Sequence, residues 1–257
     1  MADLLVRRTG PVLWLQFGDS AQANALTWDL AREIVAALAD LDDARVVVLA
    51  TEGKVFCSGA DLALLEPYGD PDRLEDVKEQ IYSAFQALVR AIIDCPVPVV
   101  ARMQGPALGA GADLALACDL RVASTRAWLE ESWIRLGTIS ALGGAAALVR
   151  TVGPGTALDM LLTARRLTAE EALAAHVYQR VVEPERLDDE LAEVVDAIVR
   201  ADPEAVRSMK SLVRGDTVMT GVDDALERGL GLQGPLIARH EFAERVAEVR
   251  RRLGESR

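Results

Sequence analysis

Short apolar runs alternate with amphipathic stretches over the first half of the chain. LLVRR and VLWLQF, on either side of Thr9-Gly10-Pro11, predict two strands joined by a turn. Thr27 is a candidate helix cap, and apolar residues recur at helical spacing from Trp28 to Leu41. A polar loop at 66–73 precedes a second amphipathic helix over roughly 74–93. Three further apolar strands, of the kind that parallel sheets bury, are predicted at 45–50, 96–103 and 120–124.

The pattern changes to almost continuous helix from Ala145 onward, with one short strand at 178–182. The amphipathic helices are predicted at 187–200, 204–213 and 222–249. Strand–helix alternation followed by helices predicts an α/β fold with a mostly parallel sheet. We therefore expect a core over residues 1–183 and a C-terminal helical region over 184–257.

The hexapeptide GADLAL occurs twice, at 59–64 and 111–116. A duplicated domain is disfavoured, because the preceding residues KVFCS and PALGA are not alike. The repeat is then either an accident of composition or two walls of one site at the ends of parallel strands. Glycine and alanine let backbone N–H groups approach a ligand, and the first N–H groups of a helix have no internal partner. Two such donors that converge on one oxygen would form an oxyanion hole.

Composition narrows the class of protein. The 257 residues are 51% hydrophobic and 26% charged, which predicts a large core, and the net charge of −12 argues against nucleic acid as a partner. Cys57, Cys95 and Cys118 lack metal-ligand spacing and are expected to be buried in a reducing compartment, and no metal site is predicted. Without a leader segment or an apolar run of about 18 residues, we expect a cytoplasmic protein that does not span a membrane.

Four segments, in order, resemble the motifs of the enoyl-CoA hydratase/isomerase, or crotonase, superfamily. They are QANALT, VFCSGADL, PVPVVARMQGPALGAGADLALACDLRVAS and LGTISALGG, and the similarity runs from about Leu4 to Val182. The resemblance implies a crotonase-like spiral of β-β-α turns and a C-terminal helical region that forms a homotrimer or a dimer of trimers. It also implies an acyl-CoA thioester as substrate and no separate cofactor, because coenzyme A is part of the substrate.

The resemblance assigns roles to individual residues. The backbone N–H groups of Ala60 and Ala110 match the two oxyanion donors, although the family usually has glycine at the second position. Ala141 lies where some isomerases of the family carry an additional acidic residue. The positions that match the coenzyme A and pantetheine path are Ala23, Ala25, Ser58, Asp61, Leu62 and Ala107.

The acid and base positions depart from the family pattern. Asp113 replaces the first catalytic glutamate, as it does in relatives that isomerise dienoyl thioesters, and Trp133 replaces the second. An indole is neither an acid nor a base near neutral pH. In an extended strand Glu131 would share a face with Trp133 but lie ~7 Å from it along the strand, beyond direct proton-transfer reach. We therefore expect it to face solvent, and substitution for the missing glutamate is the alternative.

The predicted function is therefore an acyl-CoA enzyme that stabilises a thioester enolate and keeps one matched carboxylate, Asp113. Isomerisation needs only one such group, and hydration by it alone is the least favoured reaction. Decarboxylation or another lyase reaction would depend mainly on the oxyanion hole. A family member that binds acyl-CoA without turnover is the alternative that Trp133 suggests. The acyl group itself is not encoded in any motif.

Overall fold

A six-stranded sheet forms the centre of the molecule. The computed structural model describes residues 3–18, 23–65, 72, 74–77, 79, 83–214 and 222–255. The strands are β1 (Asp3–Thr9), β2 (Val12–Gly18), β3 (Val46–Thr51), β4 (Val99–Met103), β6 (Leu120–Ser124) and β9 (Arg180–Val182). They are arranged in the order β1-β2-β3-β4-β6-β9; β1 is antiparallel to β2, and all other pairs are parallel. The predicted strands are confirmed to within a few residues.

A second, smaller sheet was not predicted. Its strands are β5 (Ala107–Leu108), β7 (Trp128–Glu130) and β8 (Leu167–Thr168). β5 and β8 have two residues each and β7 has three, which leaves no room for an apolar period to repeat, whereas the three residues of β9 lie within the longer run YQRVV at 178–182. Isolated bridges between Leu26 and Ala60 and between Cys57 and Ala107 continue the same edge-to-edge pairing. This pairing brings together chain segments that are far apart in sequence.

The helices largely follow the predicted pattern. The first half contains α1 (Trp28–Ala39), α2 (Leu62–Leu65), α3 (Leu74–Val77), α4 (Ser83–Asp94) and α5 (Ala110–Ala117). Thr27 caps α1 as predicted, since its hydroxyl accepts a hydrogen bond from Leu30 N at 3.2 Å. Most of the predicted loop at 66–73, residues 78 and 80–82 of the predicted helix, and Gln22 lie outside the described residues.

The second half adds six helices among the described residues. They are α6 (Gly144–Thr163), α7 (Ala169–Ala174), α8 (Leu187–Arg200), α9 (Pro203–Arg214), α10 (Val222–Ile237) and α11 (His240–Glu255). The prediction of one helix over 222–249 was wrong, because the chain turns at Ala238 and places Ile237 and Phe242 in the core. In the described part of the chain, no helix is long and apolar enough to cross a membrane.

The central strands of the large sheet are covered on both faces, which explains why β3 is buried along its whole length. One face joins the main core with α1, α4 and α5. On the other face, Leu187, Leu191 and Val195 of α8 pack against Val46 and Val48 of β3. The division between residues 183 and 184 and the assembly of trimers stay predictions.

Candidate functional site

The segments around residues 59 and 109 lie against each other. Leu108 N donates a 2.9 Å hydrogen bond to the Cys57 carbonyl, and a Cβ added to Gly59 would lie 3.6 Å from Ala110 N. Gly59 (φ 105°) and Gly109 (φ 48°) both occupy backbone conformations that favour glycine. Each predicted oxyanion donor therefore follows a glycine that turns the chain.

Among the described residues, neither predicted donor has a hydrogen-bond partner for its N–H group. In the bridge between Leu26 and Ala60, the hydrogen bonds are formed by the residues on either side of Ala60: Leu26 N donates to Gly59 O, and Asp61 N donates to Leu26 O. The N–H of Ala60 itself therefore points away from Leu26. Ala110 is the first residue of α5, where no intrahelical acceptor exists. Within the described part of the chain, neither N–H meets a hydrogen-bond acceptor.

The Asp113 carboxylate lies one turn beyond Ala110 on the same side of α5. Its Oδ1 accepts hydrogen bonds from the Ser140 hydroxyl (2.7 Å) and from Gly144 N (2.8 Å), and its Oδ2 accepts one from Trp133 Nε1 (3.0 Å). Gly144 begins α6, so the carboxylate also lies at the positive end of that helix. Burial raises the pKa of Asp113 to about 6, although the three hydrogen bonds favour the charged form.

Trp133 does not have the conformation that was predicted for it. It lies in a short 3₁₀ helix (Ser132–Leu136) rather than in an extended strand. Its ring packs on the turn before α5, since a Cβ on Gly109 would lie 3.7 Å from Trp133 Cε2. The indole thus fills the space between this turn and Asp113, and it contributes a hydrogen-bond donor instead of a second carboxylate.

The prediction that Glu131 faces solvent was wrong. Glu131 precedes the 3₁₀ helix with φ −84° and ψ 81°, so the strand geometry that separates it from the site does not apply, and only 1% of the residue is exposed. A Cβ on Gly144 would collide with Asp113 Oδ1 and lie 2.5 Å from Glu131 Oε1, so both carboxyl groups border the same backbone position. Burial, and then the charge of Asp113, raise the pKa of Glu131 well above its usual range.

The carboxyl oxygens of Glu131 also lack hydrogen-bond partners among the described residues. The extended-strand geometry expected from the sequence argued against a role for this residue. The signal that could have retained it is the acidic pair Glu130-Glu131 just before a predicted site residue, which is unusual in so apolar a stretch. The space next to Asp113 is small, with a cavity of about 20 Å³ that holds about one water molecule.

The remaining predicted residues occupy the neighbouring segments. Ser58 N donates to the Ala23 carbonyl at 3.1 Å, and Ala107 is fully buried in its bridge with Cys57. Ala141 is buried, and its carbonyl accepts a 2.8 Å hydrogen bond from Gln86 Nε2. Ala25 is buried, whereas Asp61 and Leu62, at the start of α2, are half-buried. The contact of these residues with coenzyme A stays a prediction.

Known proteins share both the sequence and the fold of this chain. The family model for enoyl-CoA hydratase/isomerase matches residues 7–246. The chain is 33% identical over 208 residues to a crotonyl-CoA hydratase of Syntrophomonas wolfei, covering 79% of the chain and 77% of the relative. It is 32% identical over 214 residues to a peroxisomal Delta(3,5)-Delta(2,4)-dienoyl-CoA isomerase of Arabidopsis thaliana, covering 78% of the chain and 77% of the relative.

Among solved structures, an enoyl-CoA hydratase from Mycobacterium avium subsp. paratuberculosis K-10 superimposes with a TM-score of 0.85 at 28% identity. This match covers 95% of the chain and 97% of that structure. The predicted α/β fold with a C-terminal helical region is thereby confirmed.

Proposed function

The chain belongs to the enoyl-CoA hydratase/isomerase family, and from that premise we propose that it moves the double bond of an enoyl-CoA thioester. In this proposal the N–H groups of Ala60 and Ala110 bind the thioester oxygen, and Asp113 carries the proton. The observation that carries the proposal is a buried carboxylate one helical turn from a free N–H donor. A base with a pKa of about 6 is mostly ionised at neutral pH and still transfers protons efficiently.

The proton transfers balance with this one carboxylate. Asp113 removes a proton from C2 of a 3-enoyl thioester, and the electron pair of that C–H bond delocalises onto the thioester oxygen as a dienolate. Asp113 then returns the proton to C4, the carbonyl re-forms, and the double bond lies between C2 and C3. The relative named as a dienoyl-CoA isomerase supports this class of reaction.

The oxyanion hole lowers the barrier because its donors interact most strongly with the charged intermediate. The adjacency of the two segments and the absence of other acceptors for Ala60 and Ala110 within the described residues support this role. One such donor contributes about 10²–10³-fold to the rate in comparable sites. Position 110 supplies its N–H at the start of α5, where the helix dipole also favours negative charge.

A second candidate function is acyl-CoA binding without turnover. It is favoured by the Trp133 side chain, which fills the position of the second glutamate and donates its N–H to Asp113. Asp113 itself would then serve to anchor the start of α6 through its bond from Gly144 N. In that case the carboxylate would be structural, and no proton would be exchanged with a ligand.

The experiment compares 3-enoyl-CoA and crotonyl-CoA as substrates for the wild type and for Asp113→Ala. We expect the wild type to form the conjugated 2-enoyl thioester, and we expect kcat of the variant to fall by about 10²–10⁴-fold. Calorimetry with a saturated acyl-CoA checks that the variant still binds. Asp113→Asn, which preserves the side-chain shape, is the second variant if the alanine protein is unstable.

Equal turnover by both proteins would remove Asp113 from the mechanism. Tight acyl-CoA binding by a wild type that converts neither substrate would select the second candidate instead.

A further inference from the structure

Two neighbouring glutamates differ sharply in their surroundings. Glu130 is buried, but its carboxylate forms ion pairs with Arg135 (3.3 Å) and Arg166 (3.1 Å). Glu131 is equally buried, and among the described residues neither of its oxygens has a hydrogen-bond partner. A buried ionised carboxylate without a partner is costly, so such a group normally retains its proton.

The arrangement around Gly144 decides which carboxyl group is charged. Asp113 receives three hydrogen bonds from N–H and O–H donors, and Glu131 receives none within the described residues. Two neighbouring buried carboxyl groups do not both ionise readily, because each charge raises the pKa of the other group. The donors therefore place the negative charge on Asp113 and leave the proton on Glu131.

We propose that Asp113 and Glu131 form a pair that carries one proton in the active state, with Glu131 as a neutral positioning acid that keeps Asp113 competent as a base. The pair itself stands on the geometry around Gly144, and its role in turnover rests on the proposed function. When Asp113 takes the substrate proton, the pair becomes neutral, and when it returns the proton, the single charge is restored. No other proton donor or acceptor is needed to balance the cycle.

Other charged groups near the pair fit this arrangement. Arg135 and Arg166 are engaged by Glu130. Arg150 of α6 and Arg214 of α9 border the small cavity that reaches Asp113. The start of α6 adds its dipole on the side of Asp113, which again favours a charge there over one on Glu131.

The proposal predicts a bell-shaped pH profile with a specific origin for each limb. Activity rises as Asp113 ionises near its pKa of about 6. Activity falls at higher pH when Glu131 loses its proton, because Asp113 beside a second charge holds its proton too tightly to return it. Glu131→Gln does not ionise, so we expect this variant to lose the descending limb and to keep the ascending one.

The same assignment predicts an effect on stability that does not depend on turnover. A carboxyl group whose pKa is raised by folding binds a proton in the folded state that the unfolded state releases, so stability falls as pH rises above the ordinary value. Glu131→Gln removes this penalty. Relative to the wild type, we expect the Tm of the variant to be higher at pH 8 than at pH 4.5 by several degrees.

The experiment measures Tm at both pH values and the pH dependence of kcat/KM for the wild type, Glu131→Gln and the matched control Glu130→Gln. The control loses two ion pairs, so we expect its Tm to fall at pH 8. Comparing the two pH values cancels any constant cost of packing the amide. Glu131→Leu is the second variant if the glutamine protein does not fold.

A Tm difference that is the same at both pH values would overturn the protonated pair. If Glu131→Gln raises Tm in a pH-dependent way but keeps the descending limb of the kcat/KM profile, the role of Glu131 in turnover would be overturned. If the wild type converts no enoyl thioester, the proposed function and the role in turnover fail together. The Tm comparison then still decides whether the pair exists.

Discussion

The two GADLAL segments have the same letters and different structures. In the first copy, Gly59 turns the chain, and the residues after it are half-buried or exposed around the four-residue helix α2. In the second copy, all six residues lie inside α5 and are buried. The first copy is therefore part of a turn near the surface, whereas the second is part of a helix in the core.

By backbone geometry, the two copies align in a different register from the one that their identical sequences give. The glycines with positive φ that precede the predicted donors are Gly59 and Gly109, so Ala60 corresponds to Ala110. The identical sequences instead align Gly59 with Gly111, whose structural role is different. Gly111 allows α5 to contact Cys57 closely, whereas Gly59 permits a backbone turn. The identity of the hexapeptides is therefore not a structural repeat, although both segments border one candidate site.

The strongest test of this comparison is Gly111→Ala. The new Cβ would overlap the Cys57 carbonyl oxygen and lie 2.8 Å from Cys57 Sγ, both of which are held in the core. We expect the free energy of unfolding to fall by about 3 kcal/mol, as measured by denaturant unfolding. Activity should fall with it, because the same contact holds Ala60 near Ala110.

Gly231→Ala is the matched control for that variant. Gly231 lies in α10, and a Cβ there would meet nothing within 4 Å, so we expect a gain of about 0.5–1 kcal/mol. If neither variant changed the free energy of unfolding, the close contact between α5 and Cys57 would not be the reason that position 111 requires glycine.

A second test concerns the aspartates of the two copies. Asp61 Oδ1 accepts a hydrogen bond from Ala63 N in its own turn, whereas Asp113 is bound by three donors from other segments. Ser140→Ala removes one donor to the charged form of Asp113, so its pKa rises above about 6. We expect the ascending limb of the kcat/KM profile to move to higher pH by about one unit. An unmoved limb would mean that another group titrates there.

The limits of sequence reasoning follow from what each pattern encodes. Apolar periodicity identified the strands of the large sheet, because the central strands β3 and β4 are buried on both faces and β2 alternates between buried and half-buried residues. It did not find β5, β7 and β8, whose existence depends on tertiary pairing rather than on local composition. The motif match assigned Trp133 to the position of the second glutamate, and in the structure its indole donates a 3.0 Å hydrogen bond to Asp113. The assumption of an extended strand failed for Glu131, because a turn into a 3₁₀ helix changes which side chains face inward.

The smallest expected effect belongs to Asp61→Ala. Asp61 lies at the start of α2, and its loss removes one hydrogen bond to Ala63 N at a half-buried turn. We expect a decrease of about 1 kcal/mol in unfolding free energy and, from its predicted place on the coenzyme A path, a higher KM with unchanged kcat. Steady-state kinetics with a 3-enoyl-CoA separate the two parameters. A fall in kcat as large as that expected for Asp113→Ala would mean that the first copy, too, carries a group that moves the proton, and the contrast between the copies would no longer hold.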